Sequence, residues 1–280
     1  MHPTEENQRS ARVAAVFYRV ADTYDTVGVP WFGPIAEQLV DLVAPAPGER
    51  GLDLGTGRGA ALWPLARRVG PTGHVTGLDL AARMIDATRA DALERGLRGV
   101  DLLVADAGRP PLPAAGYDVA VASLVLFFLP DPPAALRAWR DLLVPGGRLG
   151  VSTFGPRDAA WEKLDDVFTL YLPPSLLDAR TSGTRGPFAS DAGVADLLVS
   201  AGFTEVRTEH LELSVRFADA EEWRVWSWSH GQRMHWEAVP QDRRGEVFAA
   251  AAERLEATRD PEGLCTLGQQ VRYTIGSRPR

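Results

Sequence analysis

Three aspartates and one glycine cluster hold most of the chemistry that can be read from this sequence. Asp53 stands two residues before Gly55 in "GLDLGTGRGAAL", residues 51–62, where Thr56, Gly57 and Gly59 complete a turn. Asp79 closes the apolar run "HVTGLDL" and Asp106 closes "GVDLLVAD". Glycines at such spacing permit positive φ and let a ligand approach the backbone closely. A helix starting just after them offers unpaired N–H groups. Acids at the ends of successive parallel strands converge on one crevice, because ligands of open parallel sheets sit beyond the carboxyl ends of the strands. That combination suits a nucleoside with a positively charged tail better than one with a phosphate.

The glycines alone leave two ligands open. Gly55, Gly57 and Ala60 satisfy the loose G-x-G-x-x-G/A dinucleotide pattern, and S-adenosylmethionine uses a similar turn. A pyrophosphate would be repelled by Asp53 beside its seat. S-adenosylmethionine brings a sulfonium, an ammonium, a ribose diol and an exocyclic amine, which favour or donate to carboxylates. Asp53 is therefore expected to face the methionine ammonium, directly or through water. Asp79 is expected to take both ribose hydroxyls. Asp106 should accept from the adenine amine, with the Ala107 N–H on the ring. Leu80 and Met84 are placed against the adenine plane, and Ser123 and Leu124 at the border of methyl transfer. An NAD(P)-dependent oxidoreductase and a non-catalytic protein with the same fold stay open as alternatives.

The elements that position these residues alternate. Apolar strands are expected at "RGLDLG", "HVTGLDL", "GVDLLVAD", "YDVAVASLVLF" and "RLGVSTF". Between them lie helices "ALWPLARRVG", ending at Gly70, residues 81–96, and "PPAALRAWRDLLVPGG" with a glycine stop. Strands that are apolar throughout and alternate with helices make a parallel sheet covered on both faces. Helix "SDAGVADLLVSAGF", strand "TEVRTEHLELSVRF" and strand "QVRYTIGSR" continue it. The boundaries read as a helical cap over 1–45, a core over 46–154, an insertion lining the acceptor pocket over 155–190, and completion of the sheet over 191–280 with a helical lid at 219–258.

In order, "LDLGTGRG", "VTGLDL", "VADAGRPPL", "YDVAVASLVLFFLPDP" and "LLVPGGRLGVSTF" resemble the successive motifs of class I S-adenosylmethionine-dependent methyltransferases. The nearest likeness is the ubiquinone/menaquinone-biosynthesis-like small-molecule branch, common in bacterial secondary metabolism. It covers residues 13–154 well and the C-terminal half in outline. The resemblance implies an α/β, Rossmann-like, doubly wound sheet of seven strands, mostly parallel with an antiparallel last strand, plus a helical cap and insertions. "ADTYDTVGVPWF" resembles the cap in which a tyrosine reaches over the cofactor, which makes Tyr24 and Tyr18 the candidates.

For the acceptor, the aromatic cap and lid favour a small apolar or aromatic molecule, with O-methylation slightly ahead of C- or N-methylation. Tyr18, Trp31, Phe32, Trp223, Trp226 and Met234 are the expected lining. On one continuous helix Trp223, Trp226, His230 and Met234 share a face, although Gly231 weakens that helix. His230 is then the candidate base. The competing expectation, which carries more weight, is a stripe packed on the sheet with His230 satisfied in the core. "ASLVLFF" lacks the Asn/Asp-Pro-Pro-aromatic pattern of amino-methylating enzymes. Asp131 is a single acid in a proline turn, and no zinc spacing occurs, so no metal is expected.

Bulk properties narrow the partners. The net charge of −7 argues against nucleic acid. No apolar run approaches the roughly 20 residues of a membrane span. "MHPTEENQRS" lacks a secretion-signal layout. Cys265 is the only cysteine, so a reducing cytoplasm is the expected location. The oligomeric state is not indicated.

Overall fold

The computed structural model describes residues 5–172 and 186–280. The first four residues of the expected cap, and residues 173–185 of the expected insertion, lie outside the described residues. Seven strands form one sheet: β1 (Arg50–Leu54), β2 (His74–Asp79), β3 (Val100–Val104), β4 (Tyr117–Ser123), β5 (Leu143–Arg157), β6 (Thr204–Phe217) and β7 (Cys265–Ser277). Their order is β3-β2-β1-β4-β5-β7-β6. The first five strands pair in parallel, whereas β7 lies antiparallel between β5 and β6. The expected sheet, with its antiparallel last strand, is what forms.

Among the described residues the helices are α1 (Glu5–Val20), α2 (Phe32–Val43), α3 (Leu62–Val69), α4 (Ala82–Glu94), α5 (Pro132–Leu142), α6 (Ala159–Asp165), α7 (Asp191–Ser200), α8 (Ala220–Trp228), α9 (Arg233–Ala238) and α10 (Arg244–Glu256). None of the described helices is long and apolar enough to cross a membrane. Starts and stops follow local chemistry. Asp131 accepts from the Ala134 N–H at 2.9 Å, with Pro132 and Pro133 opening α5. Asp158, Ser190 and Asp219 cap α6, α7 and α8 in the same way. Gly70, at φ +68, ends α3. The helix α2 buries Ile35, Leu39, Val40 and Val43 against the sheet. Each such side chain contributes about 1.5–3 kcal/mol of transfer free energy.

Three local expectations are corrected. Strand four stops at Ser123 instead of running on through Phe127. Leu124 takes φ +57, and residues 126–128 form a single 3₁₀ turn. A left-handed leucine costs on the order of 1–3 kcal/mol. It is held by its N–H, which donates to both Ser152 Oγ (3.0 Å) and Ser152 O (3.2 Å). Second, Gly146 and Gly147 do not stop α5. That helix passes directly into β5 at Leu143, and the glycines fall where the pairing of β4 with β5 slips register. Third, the lid is not one helix across Trp223–Met234. It breaks between Trp228 and Arg233, around Gly231.

Candidate active site

A cavity of about 260 Å³ opens at the carboxyl ends of β1, β2, β3 and β4. One half of it is built on the glycine turn. The N–H groups of Gly55 and Thr56 both donate to Leu78 O at 2.8 Å, and the Gly57 N–H donates to Asp79 Oδ2 at 2.9 Å. The turn's amides are thus consumed by the end of β2. Gly55 has φ +76, and a Cβ there would stand 2.5 Å from Val125 Cγ2. Asp79 Oδ1 also accepts from the Ala81 N–H at 2.8 Å. A carboxylate offers about four acceptor sites, so capacity for hydroxyl donors remains. Burial pushes the Asp79 carboxyl up, opposed by its backbone N–H donors. Asp106 Oδ1 accepts from the Gly108 N–H at 2.7 Å, and Trp139 donates to Ala107 O at 2.7 Å, which fixes the loop after β3.

Asp79, Asp106, Ala107, Leu80, Met84, Gly55, Gly57, Ser123 and Leu124 all line the cavity, with Tyr24 above the turn. Tyr24 stacks on Phe32 at 4.5 Å and meets Phe17 edge-on at 5.9 Å. The loop that carries Trp31 and Phe32 is fixed by Asp25, whose carboxylate accepts the N–H groups of Trp31, Phe32 and Gly33.

Three expected cofactor residues lie behind this wall. Asp53 is 1% exposed and accepts from Thr56 Oγ1 at 2.7 Å. Burial pushes its carboxyl up to about 7, against the pull of the Thr56 hydroxyl, and the nearby Asp79 charge adds to the rise. Thr56 is likewise buried. Gly59 packs under the Trp63 ring, so its role is close packing of the turn.

The other half of the cavity is aromatic. Trp31 stands 5.5 Å from Trp161 and 5.8 Å from Trp226, and Phe154 lies 5.6 Å from Phe127. Phe32, Trp226, His230 and Met234 line it. Trp223 does not: it packs on Trp236, 5.8 Å away, in the core. Tyr18 is also corrected. It is half exposed beneath the Arg83 guanidinium, while its neighbour Phe17, with Val13 and Ala14, faces the cavity. Adjacent helical residues point in different directions, so only one of the two can line the wall.

The geometry of His230 does not suit a base. The Gln232 N–H donates to His230 Nδ1 at 3.3 Å, which places the ring proton on Nε2. Burial, with a smaller effect from His235, pushes His230 down to about 3, so the ring is neutral.

Residues 52–147 match the methyltransferase domain family. Over 271 residues, 93% of this chain and 96% of the relative, the sequence is 41% identical to nocamycin O-methyltransferase of Saccharothrix syringae. The chain is a class I S-adenosylmethionine-dependent methyltransferase. This methyltransferase is also 40% identical over 174 residues to the aklanonic acid methyltransferase DauC of Streptomyces sp. strain C5, covering 62% of this chain and 79% of that one. Among solved structures it shares the fold of YcgJ from Bacillus subtilis, with TM-score 0.57 and 15% identity over 88% of this chain and 98% of the other. The oxidoreductase alternative falls with the family. It also lacks a phosphate seat, since the amides of Gly55, Thr56 and Gly57 are already bonded.

The methyltransferase also places residues at the cavity that the sequence did not single out. Gly155, Arg157, Trp161 and Asp165 come from the first part of the expected insertion. Arg157 Nη1 pairs with Asp165 Oδ2 at 2.5 Å, and Gln232 Nε2 donates to Asp165 Oδ1 at 2.7 Å. An aspartate at 3% exposure needs such partners. The spacing of Val13 and Phe17 by four was a readable signal for the α1 contribution; the Arg157–Asp165 pair left none.

Proposed function

We propose that this methyltransferase methylates an oxygen of a small, planar, largely apolar secondary metabolite. The observation that carries the reading is the two-ended cavity. Acids at the ends of β2 and β3 line one end and an aromatic box lines the other; Ser123 and Leu124, also on the wall, would border the methyl transfer. The name of one relative, nocamycin O-methyltransferase, agrees with an oxygen acceptor, and that of the other, aklanonic acid methyltransferase DauC, with a small-molecule acceptor.

The donor set fits the cofactor. The nucleoside end offers carboxylates and a glycine turn with no room for a Cβ at Gly55. Asp79 would take the ribose hydroxyls, Asp106 the adenine amine, the Ala107 N–H the ring, and Leu80 and Met84 its faces. Tyr24 would close over the cofactor. Asp53, behind the turn, would act on the ammonium through the turn or a water. When bound, S-adenosylmethionine supplies an electrophilic methyl on a cationic sulfur that becomes a neutral thioether once displaced.

The protein's contribution is alignment. Trp31, Phe154, Trp161 and Trp226 hold the acceptor in an apolar slot, where fixed orientation can supply most of the acceleration. No base is required for an acceptor oxygen that is already ionised, and His230 is not positioned as one. Calorimetric titration tests the cofactor: S-adenosylmethionine and S-adenosylhomocysteine should bind and NAD should not. Turnover with candidate phenols and carboxylic acids, read by mass spectrometry, tests the acceptor; methylation confined to carbon or nitrogen would overturn the oxygen assignment.

A further inference from the structure

A chain of contacts runs along the wall of the aromatic half. Arg157 Nη1 holds Asp165 Oδ2, Asp165 Oδ1 holds the Gln232 side chain, and the Gln232 backbone N–H meets His230 Nδ1. The last contact occupies the imidazole lone pair, so His230 presents Nε2–H. That nitrogen is buried and has no hydrogen-bond partner among the described residues. The ring sits on the cavity wall, 4.2 Å edge-on from Trp226 and 5.9 Å from Phe32. An unmet buried donor is costly and calls for an explanation. Here the surrounding rings offer it no oxygen.

We infer that His230 is a specificity-determining hydrogen-bond donor, whose Nε2–H recognises a carbonyl or ionised oxygen carried by a planar methyl acceptor. Asp165 and Gln232 are positioning residues that hold the ring in the donor tautomer. The inference rests on the methyl-transfer reading of the cavity and adds the chemistry of the acceptor to it. It differs both from the candidate base role of this histidine and from a histidine satisfied in the core, because a base would need the lone pair that Gln232 already uses.

The test uses the full-length protein loaded with S-adenosylhomocysteine and two probes of like shape, acetonaphthone and ethylnaphthalene. Only the first has a carbonyl. His230→Phe should weaken acetonaphthone by about 3–10-fold, the scale of one net hydrogen bond, and leave ethylnaphthalene unchanged. His230→Gln, which keeps an N–H donor, should retain most of the difference between the probes. Nitrogen chemical shifts of the His230 ring at neutral pH, read in the unmutated protein, should place the proton on Nε2. Asp165→Asn should disturb that tautomer signal while leaving S-adenosylhomocysteine affinity within twofold. The inference is overturned by equal loss of both probes in His230→Phe, by no loss of either, by failure of the unmutated protein to bind acetonaphthone, or by a proton on Nδ1. Failure to bind S-adenosylhomocysteine would instead strike the cofactor reading and is scored separately.

Discussion

Gly57 donates its backbone N–H to Asp79 Oδ2 at 2.9 Å, which joins the glycine turn after β1 to the acid at the end of β2. One carboxylate thereby shapes the turn and faces the cavity. Replacing it has two separable consequences.

Asp79→Asn keeps an acceptor for one of the two N–H groups and removes the charge. Calorimetry should show S-adenosylhomocysteine binding weakened by about 1.5–3 kcal/mol, the range for hydrogen bonds to a charged group, in a folded protein. Asp79→Ala should lose about 1–3 kcal/mol of stability as well, since Gly57 and Ala81 lose their acceptor. Equal cofactor affinity in a folded Asn variant would remove Asp79 from the ribose.

Gly55 and Gly57 both have positive φ, +76 and +50, but differ in free space. A methyl at Gly55 runs into Val125, whereas the nearest atom to one at Gly57 is Tyr24 Cε1 at 3.9 Å. Gly57→Ala should cost about 1–2 kcal/mol from the backbone alone. Gly55→Ala should cost about 1–3 kcal/mol more, from overpacking. Urea midpoints at equal m-value give the comparison, and the reverse ranking would contradict the packing.

Asp53 and His230 impose opposite slopes on stability. The native Asp53 carboxyl, raised to about 7, holds a proton that an unfolded one releases near pH 4. The native state therefore binds more protons across that window, and this group lowers stability as pH rises from 4 to 7. His230, lowered to about 3, stays neutral where the unfolded ring protonates below about 6.5, so its term lowers stability as pH falls through that range. Asp53→Asn should gain on the unmutated protein between pH 5 and pH 7, by up to about 1.4 kcal/mol per pH unit. Binding of S-adenosylmethionine near pH 7 should release a proton if the ammonium, acting through the turn or a water, favours the ionised form of Asp53. Heats measured in buffers of different ionisation enthalpy would reveal it; a buffer-independent heat would exclude the coupling.

Arg58, inside the glycine turn, donates to Ala21 O at 2.6 Å and pairs with Asp91 at 2.7 Å. It ties the end of α1 to the glycine turn and to α4. Arg58→Ala should cost about 1–2 kcal/mol, discounted for the part-exposed Asp91. Trypsin should then cut faster after Arg19. An unchanged cleavage pattern would mean that α1 is held mainly by its packing.

Most of the sheet was legible in the sequence because its strands are apolar runs that end at acids or glycines. Asp79 and Asp106 were legible for the same reason: strand ends point to the crevice. Asp53 occupies an equivalent place, yet the Thr56 hydroxyl draws it inward, and sequence spacing cannot see that contact. The choice between Phe17 and Tyr18 was not legible either. Helical periodicity names a face, but only the position of α4 and Arg83 decides which face meets the cavity. The break around Gly231 was foreseeable in kind, whereas the reversal of Trp223 into the core follows from the packing of Trp236. The tautomer of His230 depends on one backbone N–H from Gln232, and no pattern of residue types encodes it.

The place of β7 between β5 and β6 has a consequence for how the molecule assembles. Strands β1 to β5 can pair as they leave the ribosome, but β6 has no neighbour in the sheet until residues 265–277 emerge and slide in between. The glycine-turn end of the cavity can thus consolidate during translation, while Gln269 reaches the cavity wall only with that final insertion. A nascent chain stalled before β7 would hold half a cavity: its acid-lined end formed, its aromatic end still open to water.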